Sequence, residues 1–215
     1  MKPHLVSRQA LVLVGLLCGA MACGSPPTAA PPLPEAPPAA ADERDRQVVE
    51  AALLALLADS RFDMAGAAAD GSYIVLGDWS PPGTGSISPE QVRAEAWPER
   101  NVPDDLIEAL VLRNQVPGTY DCRRASWSSL KFDDRILVAD LAPVMQLDDF
   151  RPFRDRFSEA RGWAIAWLPG YSSDGQRAIV RASIGPSAHG ASVTALVELR
   201  GVAWVVTSLK LAWYA

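Results

Sequence analysis

The last third of the chain alternates apolar and polar positions with a period of two. Four runs carry this alternation, at residues 163–168, 177–184, 192–199 and 203–211. Such alternation is typical of β-strands that bury one face. Turn residues join the runs: Ser172-Ser173-Asp174-Gly175 first, then 185–190, then Arg200-Gly201. Because connections this short join antiparallel neighbours, the pattern predicts a four-stranded antiparallel meander.

Upstream of the meander, apolar residues recur at helical spacing. A helix begins at Asp42, which can cap it together with Asp45 three residues on, and Val49, Leu53 and Leu56 mark its apolar face. Residues 103–113 predict a second helix, with Leu106/Leu110 and Ile107/Val111 at four-residue spacing. Between these helices, residues 73–76 predict a strand, 80–86 a loop and 88–90 the start of a short helix.

A third long helix is predicted over 148–161, with Asp148 as its cap. Phe150, Phe153 and Phe157 share one face of this helix, which is the spacing of core packing or of an aromatic ligand box. Arginines on the other faces alternate with acids, which is typical of a solvated, internally paired surface but is also compatible with binding of phosphate or carboxylate. Together the elements predict an α+β domain over 42–215, with the helices packed on one face of the meander.

The first 22 residues differ in character from this domain. Lys2 and Arg8 give a positive start, 10–22 is almost wholly apolar, and Ala20-Met21-Ala22 places small residues before a candidate cleavage point. The apolar run is shorter than the roughly 20 residues that a membrane-spanning helix needs. Residues 1–22 are therefore predicted to be a signal peptide.

Cys23 follows the signal directly. Ala20-Met21-Ala22-Cys23-Gly24 resembles the lipobox of bacterial lipoproteins, in which the Cys is lipid-modified and becomes N-terminal, although Ala20 stands where Leu is usual. The resemblance implies a membrane anchor on Cys23 and a place in the bacterial cell envelope. The alternative is an ordinary cleavage site, which would leave Cys23 a thiol and the protein secreted.

Residues 23–41 are predicted to be the lipid anchor and a linker rich in Pro and Ala. The stretch 24–41 has seven prolines and six alanines, and lacks Val, Ile and aromatic residues. Such a composition favours a disordered, semi-rigid spacer.

Composition narrows the possible partners and covalent links. Once Cys18 leaves with the signal and Cys23 carries lipid, Cys122 is the only remaining thiol, so no disulfide within the chain is expected. The net charge of −5 becomes −7 when Lys2 and Arg8 are removed. An acidic domain is a poor partner for nucleic acid, and it would not bind an anionic bilayer by charge alone.

Aromatic and turn residues carry a resemblance over roughly 103–213. The residues are Phe150, Phe153 and Phe157, then Gly170-Tyr171-Ser172-x-Asp174 with Ala178-Ile179-Val180, then Leu196-Val197-Glu198-Leu199-x-Gly201-x-x-Trp204-x-Val206. They are similar to a group of uncharacterised bacterial secreted proteins and lipoproteins. Members often carry paired cysteines in the penultimate loop, where this chain has Ser187-Ala188-His189-Gly190. The resemblance implies the fold and no activity.

Candidate chemistry is sparse. His189 is the single histidine after the signal, and HExxH, CxxC, GxSxG, P-loop and GxGxxG patterns are absent from the sequence. No metal or other cofactor is expected. His189 with Ser187, Ser192 and Asp174 is a conceivable hydrolytic set, but a polar hairpin tip is the favoured explanation of His189, because nothing in the sequence orients its imidazole.

Two further groups of residues are open to more than one interpretation. The acidic pairs Asp104/Asp105, Asp133/Asp134 and Asp148/Asp149 suggest either paired carboxylates or helix capping. Trp163, Trp167, Trp204 and Trp213 all lie on predicted strands and form either a binding platform or ordinary packing.

Three functions follow from these observations. The sequence favours a non-catalytic envelope lipoprotein that contacts another protein or the cell wall. The second is a pocket-type binding protein for an apolar ligand or glycan. The third is a hydrolase that uses His189.

Overall fold

A computed structural model describes residues 39–62, 73–78, 88–96, 102–115, 125–145, 149–185 and 190–213. The chain divides into two units, Met1–Pro34 and Glu35–Ala215. All of the described residues belong to the second unit.

Four α-helices occur in the described residues. They are α1 (Glu43–Leu57), α2 (Pro89–Ala96), α3 (Asp104–Asn114) and α4 (Arg151–Arg156), and a 3-10 turn at Ser60–Phe62 follows α1. The predicted cap of α1 is confirmed: the Asp42 side chain accepts from the Asp45 N–H, and the Asp45 side chain accepts from the Asp42 N–H. The four periodic residues of α3, Leu106, Ile107, Leu110 and Val111, are all buried.

The strands form one large sheet and one short pair. The large sheet has seven strands: β2 (Tyr73–Gly77), β4 (Ile136–Ala139), β5 (Ala160–Ala166), β6 (Gly170–Tyr171), β7 (Arg177–Gly185), β8 (Ala191–Arg200) and β9 (Ala203–Trp213). Their order is β4-β2-β5-β7-β8-β9, and β6 pairs with β7. The short pair is β1 (Ala39–Ala40) with β3 (Ala125–Ser126).

The sheet is mixed, so the predicted four-stranded meander is wrong as a description of it. The four predicted strands are present as β5, β7, β8 and β9 and pair antiparallel in that order. However, β2 joins β5 in parallel and β4 joins β2 in parallel. Because β5 has a partner strand on each side, it is an interior strand of a larger mixed sheet in an α+β domain.

The helices cover both faces of the sheet, which corrects the prediction that they pack on one face. On the first face, Val49, Leu53 and Leu56 of α1 pack in a cluster with Val180 of β7 and Val193 of β8.

The second face has two separate covers. Leu106 and Leu110 of α3 pack with Ile179, while Phe153 and Phe157 pack with Ile165. Adjacent strand residues point to opposite faces of the sheet. A strand that is buried on both faces, such as β7, therefore needs other elements packed against each face.

Two element boundaries also differ from the predictions. The third predicted helix is short: α4 spans Arg151–Arg156 with Phe150 as its cap residue, and Asp148 lies outside the described residues. Phe153 and Phe157 are nonetheless core residues, 0% and 6% exposed. At the N-terminal boundary, β1 lies within the predicted linker, so ordered pairing begins before residue 42.

The sheet has two ends that matter for the site. Strands β2, β4 and β5 run toward the end where α1 begins, because the residues just after β5 contact the first turn of α1. The turn between β6 and β7 and the turn between β8 and β9 lie at this same end, which is called the entry end below. The opposite end, called the far end, carries Gly185 at the end of β7 and Ala191 at the start of β8.

Candidate functional site

A buried ion pair joins three elements at the entry end. Asp45, fully buried in α1, accepts two hydrogen bonds from Arg113 of α3, at 2.7 and 2.9 Å. The Tyr171 hydroxyl of β6 donates to the same carboxylate at 2.8 Å, and Arg113 also donates to the Pro169 carbonyl at 2.7 Å. A bidentate Arg–carboxylate pair of this kind is strong and directional. This cluster of Asp45, Arg113 and Tyr171 is called the latch.

Protonation within the latch follows from its burial. Burial raises the pKa of the Tyr171 hydroxyl, and the neighbouring Asp45 carboxylate raises it further. Burial by itself lowers the pKa of Arg113, but its hydrogen bonds to Asp45 and the charge of that carboxylate leave the pKa above its ordinary value. Tyr171 is therefore a neutral donor and Arg113 a fixed cation at neutral pH.

Next to the latch, Arg44 contacts two aromatic rings. Its guanidinium carbon is 3.9 Å from the centre of the Tyr171 ring and 5.5 Å from that of Trp204. Arg44 also donates to the Gly175 carbonyl at 2.6 Å. These contacts tie the first turn of α1 to the β6–β7 turn and to the start of β9.

The β6–β7 turn is held by its own polar side chains. The Ser172 hydroxyl donates to Asp174 at 2.6 Å, and Asp174 accepts from the Gln176 N–H at 2.9 Å. Gly175 has a φ of 69°, the left-handed conformation that glycine adopts without strain. The hydrogen bond from Ser172 lowers the pKa of Asp174. Asp174 thus has a structural role in the turn.

An exposed apolar run begins at the β8–β9 turn. Gly201, with a φ of 68°, opens the turn, and Val202 is 96% exposed. Ala203 is exposed, Trp204 is partly buried and Val205 is 36% exposed. Turn positions usually hold polar residues or glycine, and consecutive exposed apolar residues are unusual unless they have a function. Residues 202–205 are called the apolar tip.

The four tryptophans predicted as a platform do not form one surface. Trp163 and Trp167 share the second face, as the alternation predicts, but they are buried, at 8% and 4% exposure. Trp204 packs with the cluster of the first face. The side chain of Trp213 lies outside the described residues.

The second face also contains buried polar groups. Arg181 is 4% exposed, and its guanidinium carbon lies 4.8 Å from the centre of the Trp167 ring. Thr194 and Ser192 are 2% and 1% exposed. Within the described part of the chain, the indole nitrogens of Trp163 and Trp167 are buried without a hydrogen-bond partner.

Of the conceivable hydrolytic set, the structure describes Asp174 and Ser192, and these two lie far apart. Asp174 precedes Arg177 at the entry end, whereas Ser192 pairs with Ser183 toward the far end. Arg177 and Ser183 are six residues apart along β7, which is about 20 Å of extended strand. His189 and Ser187 lie outside the described residues, as do Cys23 and Cys122.

Aspartates of all three acidic pairs have arginine partners. Asp133 accepts from the side chain and the N–H of Arg135, and Asp149 accepts in the same way from Arg151. These bonds lower the pKa of both carboxyls to about 2. Asp104 pairs with Arg93 at 2.9 Å.

Neither a candidate metal cluster nor a membrane-spanning helix is found in the described residues. Among the residues that the structure describes, no three His, Cys, Asp or Glu side chains are grouped so that they could hold a metal ion. None of the helices in those ranges is both long and apolar enough to cross a membrane.

Comparison with known proteins returns no matching family model, no matching curated protein and no matching solved structure. The resemblance to uncharacterised bacterial secreted proteins and lipoproteins therefore stays a prediction.

Sequence patterns missed the latch and the apolar tip. Capping accounts for Asp45, and the sequence suggests no partner for Arg113, so no local pattern indicates that these two residues, 68 positions apart, form an ion pair. The apolar tip had a signal, since Val202 directly follows the turn glycine. The alternation of residues 203–211 predicts a half-buried strand, and this prediction gave no reason to expect exposed apolar side chains at its start.

Proposed function

We propose that this chain is a lipid-anchored protein of the bacterial cell envelope whose folded unit is a non-catalytic interaction module. Its partner would be another envelope protein or the cell wall, and nucleic acid is not expected to bind. The observation that carries the proposal is Cys23, placed between a signal-like segment and a proline-rich segment.

The organisation of the chain supports an anchor followed by a module. The boundary between Pro34 and Glu35 separates the signal, Cys23 and five of the seven prolines of 24–41 from the second unit, Glu35–Ala215. Bacterial lipoproteins commonly carry several acyl chains, and more than one membrane signal is what stable anchoring needs.

Metabolic labelling with a radioactive fatty acid tests the anchor. The wild-type protein is expected to take up label and Cys23→Ser to lose it. Cys18→Ser and Cys122→Ser are matched controls that should keep the label, because they remove a thiol elsewhere. A wild-type protein without label, or a labelled Cys23→Ser, would overturn the proposal.

Cross-linking in the native envelope tests the interaction module. A partner that is recovered with the anchored wild type and lost after competition with unlabelled purified protein would support the proposal. Recovery of no specific partner would contradict it.

A second candidate function is binding of a small ligand or glycan at the second face. The observation that favours it is the pair of buried indole N–H groups at Trp163 and Trp167, since buried donors without partners are costly. A ligand with hydrogen-bond acceptors would satisfy such donors. Titration with soluble cell-wall oligosaccharides should then shift the tryptophan emission of the wild type, with a smaller shift in Trp167→Phe. An unchanged emission in the wild type would contradict this alternative.

A further inference from the structure

We propose that the apolar tip, residues 202–205, docks on the surface of the bilayer that holds the lipid on Cys23. This inference rests on the proposed lipidation of Cys23. It names the surface of the folded unit that faces the membrane and the residues that enter it.

The first argument is the place where the chain enters the folded unit. The described part of the chain begins at β1 and continues into α1, whose first turn lies at the entry end. Arg44 in that turn is 5.5 Å from the Trp204 ring, so the entry point and the apolar tip are neighbours. A membrane that holds Cys23 is therefore connected to the folded unit at the end that carries the tip.

The second argument is the length of the connecting segment. Ala39 lies sixteen positions after Cys23, a length of chain that spans at most ~55 Å when fully extended. A short tether keeps the local concentration of the tip at the membrane in the millimolar range. Under that condition a weak contact is occupied for much of the time, and a large docking surface is not required.

The third argument is the chemistry of the tip. Val202 is almost fully exposed and Val205 partly so, and these are side chains that hydrocarbon accepts. Trp204 is partly buried beside them, and tryptophan is the residue that favours the level of the lipid headgroups. Arg200 next to the turn is 63% exposed and can reach headgroup phosphates while its stem follows the apolar residues.

The charges around the tip favour a neutral bilayer surface as the partner. Near the tip, the cations Arg44, Arg177 and Arg200 nearly balance the anions Asp42, Glu43, Asp174 and Glu198. Docking driven by apolar contact is then expected on phosphatidylcholine, without anionic lipid and with little dependence on salt.

Depth measurement on the lipidated protein tests the inference. The protein is prepared with Cys122→Ser and either Val202→Cys or Leu137→Cys, labelled with a nitroxide, and placed on phosphatidylcholine vesicles. Leu137 is the matched control, because it is 44% exposed on β4, at the opposite edge of the sheet from β9. Relaxation by oxygen and by a water-soluble nickel complex then reports the depth of each label.

The label at position 202 is expected about 5–10 Å below the headgroup boundary, the depth of apolar faces on peripheral segments. The label at 137 should stay in water. A label at 202 that is as accessible to nickel as the one at 137 would overturn the inference. Broadening between labels at 202 would also overturn it, because the tip would then face a second copy.

The anchor and the docking fail in different ways. A protein whose mass includes acyl chains, which floats with vesicles but keeps position 202 in water, retains the anchor and refutes the docking. A protein whose mass lacks acyl chains refutes both. Melting temperatures of Val202→Cys and Leu137→Cys close to that of the Cys122→Ser parent would show that the fold is intact.

Discussion

Asp45 has two roles at the scale of single residues. It completes the cap of α1 and accepts the hydrogen bonds of Arg113 and Tyr171. A helix-capping pattern was predictable, because Asp42 and Asp45 have the right spacing. The ion pair was not predictable, because its partners come from elements whose packing depends on the whole sheet.

We expect Asp45→Asn to lower the free energy of unfolding by about 3 kcal/mol, since a half-buried Arg113 loses its charged partner. Tyr171→Phe should cost only about 1 kcal/mol, because it removes one hydrogen bond and keeps the ring under Arg44. Urea unfolding of both variants measures the difference. Equal losses would mean that the ion pair adds nothing beyond a neutral hydrogen bond.

Gly170 lies where β6 touches the backbone of α3. A Cβ at this position would be 2.4 Å from the Leu110 nitrogen and 2.6 Å from the Leu106 carbonyl oxygen. Backbone atoms cannot move aside like a flexible side chain, so Gly170→Ala should destabilise the fold by about 2–3 kcal/mol. Gly201→Ala is the comparison, because nothing lies within 4 Å of its Cβ, and only the positive φ should cost about 1 kcal/mol. Similar losses in the two variants would argue against the close approach.

Asp133 and Asp149 make the stability of the fold depend on pH in the acid range. Hydrogen bonds from Arg135 and Arg151 lower the pKa of these carboxyls to about 2, from an ordinary 3.8. A carboxyl with a lowered pKa in the folded state stabilises the fold above its unfolded pKa. That contribution is lost as pH falls from about 4 to about 2.

In a carboxyl NMR titration, Arg135→Met should raise the pKa of Asp133 part of the way to 3.8, since the backbone N–H of residue 135 still donates. Asp149 should be unchanged in the same sample. A pKa of Asp133 that remains about 2 would contradict the role of Arg135.

At the scale of elements, most helices and strands were predictable from local pattern, and the short strands β1, β3, β4 and β6 were not. Helices α1 and α3 and strands β2, β5, β7, β8 and β9 all follow from spacing. Strand β4 has four residues, Ile136–Ala139, with no alternation, so local pattern did not separate it from a loop. Without β4, the parallel pairing of β2 and the need for helices on both faces were also hidden.

Strand β9 is an edge strand with three protective features. Thr207 is an extra residue opposite β8, because Leu196 pairs with Ser208 and Val197 with Val206. Lys210 adds a charge, and the Arg61 side chain donates to the Leu209 carbonyl at 3.3 Å. Bulges and edge lysines hinder pairing with another chain. The bulge also keeps Val206 and Leu209 on the same face, although they are three residues apart.

Deletion of Thr207 should preserve the fold, because Leu209 and Leu211 keep their face once the ladder becomes regular. The flatter edge is expected to self-associate, which light scattering against protein concentration would detect. Thr207→Ala retains the bulge and should remain like the wild type. Monomeric behaviour of the deletion variant would show that Lys210 and Arg61 protect the edge on their own.

At the scale of the whole molecule, the folded unit should need nothing before β1. Chains that begin at residue 24 and at residue 39 are expected to melt at the same temperature. A chain that begins at residue 42 loses β1 and its pairing with β3, and should melt about 2–4 °C lower, the shift that ~1 kcal/mol produces in a domain of this size. Calorimetry of the three chains measures this. A lower melting temperature for the chain from 39 would assign structure to the linker.

The latch has a mechanical consequence for a protein held by its N-terminus. Tension on the linker reaches the fold at β1 and then at the first turn of α1. Asp45, two residues into α1, passes that force to α3 through Arg113 and to β6 through Tyr171. Helix α1 therefore resists being peeled from the sheet one turn at a time, and unfolding under tension should begin with a single rupture at Asp45.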